Sequence, residues 1–447
     1  MERATELAEF RRAAERIMQR TGKLDMRVVE RGFRDAALRD GSSHFCDFLS
    51  ALAEETPVCP EHGTPMARVD TRSRTVTSMM GDGVLYRGYY ACPECGAHAI
   101  PKDAEVGVDG TRFTPGVRRS VGLLASAESF EWSSDTLGDI GGVNVSAKEC
   151  QRISEEIGAG IEAGFVAVRD RLLEPVKAGC DGVPVPQFGD TIPIMYCEID
   201  GTGVPMRKDE LEGRKGKRDD GGSSTREVKL GCVFTQAGHD EEGNPVREEG
   251  STSYFGAIEN SEEFGNRLYA NAMMRGLNRA ERVVLLGDGA IWIRNVGQLH
   301  LPGATHIVDL FHAKEHICKL AKRLVDGEDG QKNLQNEWIG ILESGKAITL
   351  AKRMRSYPVD DIELRKARDA EVKYFFSNYS RMRYDRFRDE GLFVGSGVIE
   401  AGCKTVVGKR LKQSGMFWSV DGANAITALR CAALSCDADL DGYHWVR

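Results

Sequence analysis

Five short apolar segments in the second half of the chain restrict the folds that it can adopt. Their order is three neighbouring strands, a helix, a strand, a short helix, a strand and a further helix. Strands joined directly can pair as an antiparallel meander, whereas strands separated by a helix need a crossover connection. The pattern therefore predicts an α/β sheet. The predicted strands are 194–199, 227–234, 253–257, 282–287 and 305–309, with helices over 261–276 and 310–325.

Two aspartates follow the first and the fourth of these strands. Asp200 and Asp288 are each followed by glycine, and an isolated Asp-Gly pair is usually only a turn signal. Both aspartates, however, follow apolar runs typical of buried strands. If those strands are neighbours, the two carboxylates lie together at one edge of the sheet, where they repel each other unless a cation lies between them. The sequence therefore predicts a cation site at this edge.

Glu400 is the candidate for a third acid at the same site. It follows a Gly-Ser-Gly turn over 395–397 and lies early in a predicted helix. Beyond Glu400 this helix is basic, so a metal ligand and phosphate-binding groups would share one helix. No acid occurs between 401 and 420, and the cations there are Lys404, Lys409, Arg410 and Lys412.

Four segments resemble the bacterial DDE transposases, most of all the Kra-type insertion-sequence transposases. They are 197–205, 286–290, 307–312 and 395–418, within a resemblance that extends over about 190–435. Asp309 and His312 add a more distant similarity to the Mutator-like group. The resemblance implies a ribonuclease-H-like catalytic core with a helical insertion at about 326–390, and DNA transposition by a mobile element as the function. It also implies a metal-binding triad of Asp200, Asp288 and Glu400.

A DDE transposase cleaves and joins DNA strands by in-line displacement at phosphorus. Two Mg²⁺ (or Mn²⁺) ions roughly 3.5–4 Å apart activate the attacking oxygen and stabilise the leaving oxygen. Water attacks first, and the freed 3′-hydroxyl then attacks the target DNA in the same site. The implied partners are the terminal repeats of the element and the target DNA, bound by a homodimer or a higher oligomer.

Asp309 and His312 lie one helical turn apart after the fifth predicted strand. In one interpretation both are auxiliary residues that position a phosphate or a DNA strand. In the other, Asp309 caps the helix that follows. The residues alone favour neither interpretation. Asp309 also competes with Glu400 for the third place among the acids. Glu315 and His316 are predicted to be ordinary residues of the helix face.

Two short Cys-Pro-Glu turns, about thirty residues apart, predict a structural zinc site. Each turn presents two ligands, and the β-rich segment between them is the spacer of a zinc ribbon. The alternatives are that His98 replaces His62, or that cysteines occur in these turns by coincidence. The other nine of the twelve cysteines, for example Cys197, Cys232 and Cys318, are predicted to be buried thiols. The predicted ligands are Cys59, His62, Cys92 and Cys95.

A helix-turn-helix is predicted around a glycine turn at 141–142. A short helix over 133–140 precedes the turn, and a helix capped by Ser146, with Glu149 at its third position, follows it. Two packed helices without a DNA role are an equally good interpretation, and Glu155 and Glu156 weaken the DNA interpretation. The residues that could face a major groove are Lys148, Gln151 and Arg152.

The net charge of −8 excludes a uniformly basic nucleic-acid binder, so DNA binding requires local basic surfaces. The glycine-rich loop 207–229 carries eight Lys or Arg residues against six acids, and the segment 378–388 interleaves arginines with aromatic residues in a way that suits base stacking. Each run alone is more simply a solvated face. Together with the Glu400 helix they favour DNA binding, with Arg381, Arg383 and Arg386 as the contacts of the second segment.

Length and composition fit a folded multidomain protein. The chain has 447 residues, of which 41% are hydrophobic and 29% charged. No apolar stretch approaches the ~20 residues that span a membrane, and the charged N-terminal helix lacks an apolar signal-peptide core. A cytoplasmic, nucleoid-associated protein is expected. The predicted regions are an N-terminal helical region at 1–55, a zinc ribbon at 56–115, a helix-turn-helix-like region at 116–175, core strands at 190–325, a helical insertion at 326–390 and the C-terminal core helix at 391–447.

Two other functions fit the same sequence. One is a non-catalytic regulator that binds DNA through the zinc ribbon and the helix-turn-helix, and for which the three acids have no role. The other is a metal-dependent nuclease that cuts DNA without joining it. Since the same acids catalyse cutting and joining, the sequence does not separate this nuclease from a transposase.

Overall fold

The computed structural model describes residues 25–177, 190–214 and 222–436, together with Arg11, Arg12, Glu15 and Met18. The chain divides into two compact units at Ile157 and Gly158. Most of the predicted N-terminal helix before 25, most of the linker predicted at 175–193 and the centre of the basic loop, with Lys215, Lys217 and Arg218, lie outside the described residues. None of the helices in the described ranges is long and apolar enough to cross a membrane.

A long helix and an antiparallel hairpin form much of the first unit. Helix α1 (Met26–Ala51) is followed by β1 (Ala67–Ser78) and β2 (Gly81–Ala91), which pair along their whole length, and by the short β3 (His98–Ala99) on β2. These strands form the β module predicted for 56–100.

Lys102 ties the end of α1 to the β module. Its side chain is fully buried, and its Nζ donates hydrogen bonds to the carbonyl oxygens of Leu49 (3.0 Å), Ser50 (3.2 Å) and Leu52 (2.6 Å). The last carbonyls of a helix have no partner within the helix, so a buried ammonium that donates hydrogen bonds to them stabilises the helix end.

Five further helical elements follow β3. The predicted Ser cap is present, because Ser146 Oγ accepts a hydrogen bond from the Glu149 N–H at 3.3 Å. The glycine turn is present too, with Gly142 in the left-handed region at φ +69°. These elements are α2 (Pro101–Glu105), α3 (Pro115–Ala127), α4 (Phe130–Thr136), a π-helical turn (Leu137–Gly141) and α5 (Ala147–Lys177).

The second unit contains a mixed six-stranded sheet. Its strands are β4 (Ile192–Pro205), β5 (Thr225–His239), β6 (Pro245–Arg247), β7 (Ser253–Ala257), β8 (Ala280–Gly287) and β9 (Thr305–Val308). β4, β5 and β7 form an antiparallel meander, β6 extends β5, and β8 and β9 continue the sheet in parallel from β4. The predicted mixed α/β arrangement is confirmed, and β6 is an additional strand.

Alternation along β4 separates an apolar face from a polar face. Met195, Cys197 and Ile199 belong to a buried cluster with residues of α6 (Ser261–Met274) and α7 (Ile291–His300). Successive side chains of a strand point to opposite faces, so Tyr196, Glu198 and Asp200 lie on the other face.

A group of helices follows β9, as predicted for 326–390. Their packing centre includes the fully buried Trp338 and Phe375. Tyr384, also fully buried, links this group to the sheet by donating a hydrogen bond to the Val308 carbonyl at 2.9 Å. The helices are α8 (Leu310–Leu324), α9 (Glu328–Glu343), α10 (Ala347–Arg355), α11 (Ile362–Asn378) and α12 (Tyr384–Asp389), with a 3₁₀ turn (Tyr379–Arg381) before α12.

The chain then returns to the polar face of the sheet. Helix α13 (Gly397–Gly402) continues through a π-helical stretch (Cys403–Gly408) into α14 (Lys409–Leu411), and α15 (Val420–Leu434) packs near β7. The helix that carries Glu400 therefore ends just before Lys412.

Candidate acidic active site and metal centre

Parallel pairing places three aspartates at one edge of the sheet. Ile199 of β4 pairs with Gly287 of β8, which pairs in turn with Val308 of β9. The residues that follow this row are Asp200, Asp288 and Asp309. β4 itself continues to Pro205, so Asp200 marks the end of the pairing with β8 and not the end of the strand.

The half-buried Asp200 lies within the electrostatic reach of Asp288. Its Oδ1 accepts a hydrogen bond from the Gly201 N–H (2.7 Å), and its Oδ2 accepts one from the Cys403 thiol (3.4 Å). Burial raises the pKa of the Asp200 carboxyl, and the negative charge of Asp288 raises it further, while His312 lowers it. The two carboxylates thus repel each other, as the sequence predicts for neighbouring strands.

Asp288 is held in a turn that has no space for a larger neighbour on either side. A Cβ atom at Gly287 would lie 2.9 Å from the Ile199 carbonyl oxygen, and one at Gly289 would lie 2.4 Å from the ring of Tyr374. The Asp288 Oδ1 accepts a hydrogen bond from the Ala290 N–H at 2.8 Å, just before α7 begins. Both glycines are therefore required for the close approach of other chain segments to this acid.

Asp309 is a helix cap. It is 1% exposed, its Oδ1 accepts a hydrogen bond from the His312 N–H at the start of α8, and its Oδ2 accepts one from the Ser396 N–H. Of the two interpretations, the structure thus shows the cap. Asp309 is buried, whereas Asp200 is half-buried, and the two hydrogen bonds of Asp309 fix the turn that precedes Glu400.

Glu400 lies on the helix that packs against β4. One residue before it, the Ile399 N–H donates a hydrogen bond to Glu198 Oε2 at 2.9 Å, and three residues after it, Cys403 contacts Asp200. The Glu400 side chain is exposed, and its charge adds to the rise of the pKa of Cys403, whose main cause is burial.

The oxygens of the three predicted catalytic acids are not close enough together to bind one common ion. In the ranges that the structure describes, the side chains that bring three or more ligand atoms within 4.8 Å of one another are those of the Cys/His cluster, and no acid belongs to it. Two ions roughly 3.5–4 Å apart, each with metal–oxygen bonds of about 2.1 Å, can be bound by oxygens up to about 8 Å apart. An all-oxygen donor set of this kind suits Mg²⁺ or Mn²⁺.

Glu198 is a functional candidate that the sequence analysis missed. It is 1% exposed on the same face as Asp200, and burial raises its pKa to about 8, with a further rise from the charges of Asp309 and Glu400. Its signal in the sequence is an acid inside an apolar run, between Cys197 and Ile199. Glu198 holds the start of the helix that carries Glu400.

His316 is not the ordinary helix-face residue that the sequence predicts. Its Nδ1 lies 2.7 Å from Glu371 Oε2, and its ring stacks on Tyr374 with 4.1 Å between centroids and 13° between planes. Tyr374 in turn packs against Gly289, next to Asp288. Glu315, by contrast, pairs with Lys319 on the exposed helix face as expected.

Cys59, His62, Cys92 and Cys95 come together in the first unit. Cys59 Sγ lies 3.5 Å from His62 Nδ1 and 3.8 Å from Cys95 Sγ, and Cys92 Sγ lies 3.9 Å from His62 Nδ1. In a tetrahedral site with Zn–S bonds of about 2.3 Å, two sulfurs lie about 3.8 Å apart. The cluster therefore fits a zinc ion. His98 stands outside it, with its ring against Tyr89.

Two equivalent turns build this cluster. In the first, the Gly63 N–H donates to the Cys59 carbonyl (2.8 Å), and in the second the Gly96 N–H donates to the Cys92 carbonyl (2.9 Å). Both glycines have positive φ, 66° and 74°. The backbone N–H of His62 lowers the pKa of the Cys59 thiol, and that of Cys95 lowers the pKa of the Cys92 thiol, which favours these two thiolates. The Ala97 N–H has the same effect on Cys95, but burial and the two other thiols raise the pKa of Cys95 to about 11.

Two of the three predicted groove-facing residues are engaged within α5. Gln151 Nε2 donates to Glu155 Oε1 at 2.8 Å, and Arg152 pairs with Glu149 and Glu156. Lys148 is exposed. Glu155 and Glu156, whose charges lie beside Gln151 and Arg152, are the two acids that the sequence analysis counts against a DNA role.

Several predicted DNA contacts have other roles in the structure. Arg410 is fully buried and lies over the Trp418 ring, so it presents no charge at the surface. In the Arg-rich segment, Tyr384 and Phe387 belong to the core and do not form a stacking platform, because their spacing is that of a buried helix face. Lys404, Lys409, Lys412 and Arg383 are exposed, Arg386 pairs with Glu390, and Arg381 is half-buried near Asp288.

No family model matches this chain. A UPF0236 protein in the vanSb 3′ region of Streptococcus gallolyticus is 23% identical over 376 residues, which are 80% of this chain and 72% of the relative. Among solved structures, the Drosophila P element transposase strand transfer complex is similar at 10% identity, with 74% of this chain and 80% of that chain covered and a TM-score of 0.24. At that score the likeness supports no conclusion about fold or function.

Replacing one cysteine of the cluster tests the metal centre. In Cys92→Ser we expect the loss of about one zinc equivalent and local unfolding of 56–100, because structural zinc supplies folding free energy. Cys318→Ser, outside the cluster, is the matched control and should retain zinc. Metal analysis by mass spectrometry that finds no zinc in natively purified protein would contradict the site.

Glu198 predicts a pH dependence of stability. Its pKa is about 8 in the folded chain against 4.5 in a model peptide, so between these values the folded state binds an extra proton and the free energy of unfolding falls as pH rises. Glu198→Gln keeps the acceptor for Ile399 and removes this loss. Without added divalent cations, its melting temperature at pH 9 should exceed the wild-type value by a few degrees, with no such gain at pH 4.

The exposed Glu337 provides the control for this measurement. Glu337→Gln removes a carboxylate that pairs with Arg353 at the surface and should follow the wild-type curve. Parallel melting curves of wild type and Glu198→Gln from pH 5 to pH 9 would show that Glu198 is ionised in the folded chain over this range.

Proposed function

We propose that this protein is the DNA transposase of an insertion sequence of the Kra type, with a ribonuclease-H-like core. It binds the ends of the element and catalyses metal-dependent strand cleavage and strand transfer. Asp200, Asp288 and Glu400 are the catalytic acids, and 326–390 is the helical insertion.

The row formed by Ile199, Gly287 and Val308 is the observation that carries this proposal. It sets Asp200 and Asp288 side by side at the carboxyl edge of a sheet in which a meander is followed by two crossover strands. The helix of Glu400 contacts Asp200 through Cys403 and contacts the neighbouring Glu198 directly. Asp200 lies on β4, Asp288 follows the strand that pairs with β4, and Glu400 lies on a helix that contacts β4.

The proposed cofactors are two Mg²⁺ or Mn²⁺ ions, which oxygen ligands such as these carboxylates suit. Asp200, Asp288 and Glu400 would hold them, and the ions would activate the attacking oxygen and neutralise the leaving one. The chain's own contribution is orientation. Glu198 and Asp309 fix the start of the Glu400 helix through the N–H groups of Ile399 and Ser396. His312 is assigned an auxiliary role beside Asp200.

The first unit is proposed to bind the element ends. The zinc ribbon held by the Cys59 cluster would stabilise its β module, and the helix-turn-helix would contribute Lys148, Gln151 and Arg152. In the second unit, the exposed cations Lys404, Lys409 and Lys412, with Arg381, Arg383 and Arg386, would contact DNA near the acids. The active species is proposed to be a homodimer or a higher oligomer on nucleoid DNA in the cytoplasm.

Neutralising either aspartate separates chemistry from binding. Asp200→Asn and Asp288→Asn should each abolish Mg²⁺-dependent cleavage of DNA that carries the flanks of the open reading frame. Affinity for this DNA should be nearly unchanged, because phosphate contacts elsewhere dominate binding. Asp369→Asn, on the exposed face of α11, is the control and should cleave normally. Cleavage retained in both variants would favour the non-catalytic regulator, and cleavage without any joined product would favour the nuclease.

A second pair of variants identifies the third acid. Because Glu400 is exposed, Glu400→Gln should lower the cleavage rate by roughly 100-fold or more without a change in melting temperature. Asp309→Asn should instead lower the free energy of unfolding by about 1–3 kcal/mol, because both Asp309 oxygens accept backbone hydrogen bonds. Loss of cleavage in a fully stable Asp309→Asn, with normal cleavage by Glu400→Gln, would assign the role to Asp309.

A further inference from the structure

Two arginines next to the acidic edge form no ion pair with any acid that the structure describes. Arg294 lies in the first turn of α7, and Arg381 ends the 3₁₀ turn after α11. Both are half-buried, yet among the described residues neither has a carboxylate oxygen within 4.0 Å. Two other arginines of this unit are paired with acids: Arg267 binds Glu162 and Glu259, and Arg282 binds Glu390.

Arg381 is fixed in its position by the turn that carries Asp288. Its guanidinium donates a hydrogen bond to Asn378 Oδ1, and the buried Asn378 also donates to the Tyr374 carbonyl at 3.0 Å. A Cβ atom at Gly289 would lie 2.8 Å from Asn378 Nδ2 and 2.4 Å from the Tyr374 ring. One turn of α11 therefore packs directly on the residue after Asp288 and holds Arg381 beside it.

Arg294 lies at the start of the helix that follows the same turn. α7 begins directly after Ala290, and the Arg294 N–H donates to the Ala290 carbonyl at 3.3 Å in its first turn. Burial lowers the pKa of Arg381, the positive charge of Arg294 lowers it further, and the negative charge of Asp288 raises it. The two cations are thus near enough to repel each other beside Asp288, an arrangement that an anion shared by both would stabilise.

We propose that Arg294 and Arg381 form a binding site for one backbone phosphate of DNA, next to the phosphate that is cleaved. The identity of this ligand as DNA rests on the proposed function. A guanidinium donates two parallel hydrogen bonds to phosphate oxygens, and its charge persists at any physiological pH. Two of them beside the acids would hold a strand in register, so the site positions the substrate and takes no part in bond breaking.

The variant that tests this site removes both charges and leaves the acids in place. Arg294→Gln/Arg381→Gln is measured by fluorescence anisotropy with duplex DNA at several salt concentrations, in the full-length protein. Loss of one phosphate contact lowers the salt slope, d log K/d log[salt], by about 0.9. The charge-matched control is Arg353→Gln/Lys366→Gln, which removes two exposed cations that pair with Glu337 and Glu363. Arg294→Lys/Arg381→Lys should keep the wild-type slope.

A second probe, inorganic pyrophosphate, separates this site from the proposed function. It should raise the melting temperature of the wild type and of the control variant, but not that of Arg294→Gln/Arg381→Gln. This pattern of melting temperatures, together with the smaller salt slope, would support the site even if the protein cleaves no DNA. A pyrophosphate effect with an unchanged DNA slope would overturn DNA as the ligand, and the absence of both effects would overturn the site while leaving cleavage by the acids intact.

Discussion

The parallel pairing of β4 with β8, and of β8 with β9, is the contact on which the second unit depends. Cys197 and Ile199 of β4 are buried against α6 and α7, and this burial fixes which face Glu198 and Asp200 occupy. A shift of one residue would bury Asp200 in that apolar cluster, so the hydrophobic core sets the register of the acids. Gly287 permits the pairing, because the Ile199 carbonyl occupies the position that a Cβ atom would need.

The acids at this edge divide into two groups with different roles. Glu198 and Asp309 are buried, and both accept hydrogen bonds from backbone N–H groups at the start of the Glu400 helix. Asp200 and Asp288 are half-buried and Glu400 is exposed, so these three can meet a ligand. A buried carboxylate is costly unless it is protonated or hydrogen-bonded, and the high pKa of Glu198, about 8, shows that burial outweighs the single N–H bond it receives.

The sequence predicted what local patterns determine. The apolar runs located the strands of the meander and both crossover strands, and the paired Cys-Pro-Glu turns located the four members of the Cys/His cluster. It could not predict contacts between distant segments. Tyr374 packs on Gly289 from 85 positions away, and no pattern in either segment predicts this contact. The same limit explains the error at Tyr384 and Phe387, since aromatic residues between arginines have one pattern whether they face DNA or a core.

Two pairs of like charges lie near the Asp288 turn. The charge of Asp288 adds to the burial that raises the pKa of Asp200, and the charge of Arg294 adds to the burial that lowers the pKa of Arg381. The two members of each pair repel each other, so each pair is stabilised by a ligand of the opposite sign. Metal ions between the acids and a phosphate between the arginines would each relieve one repulsion. Because both ligands would also attract each other, binding of either would strengthen binding of the other, by the reciprocity of linked equilibria. In the proposed complex, an acidic chain would in this way bind a polyanion at an edge of the sheet that itself carries acids.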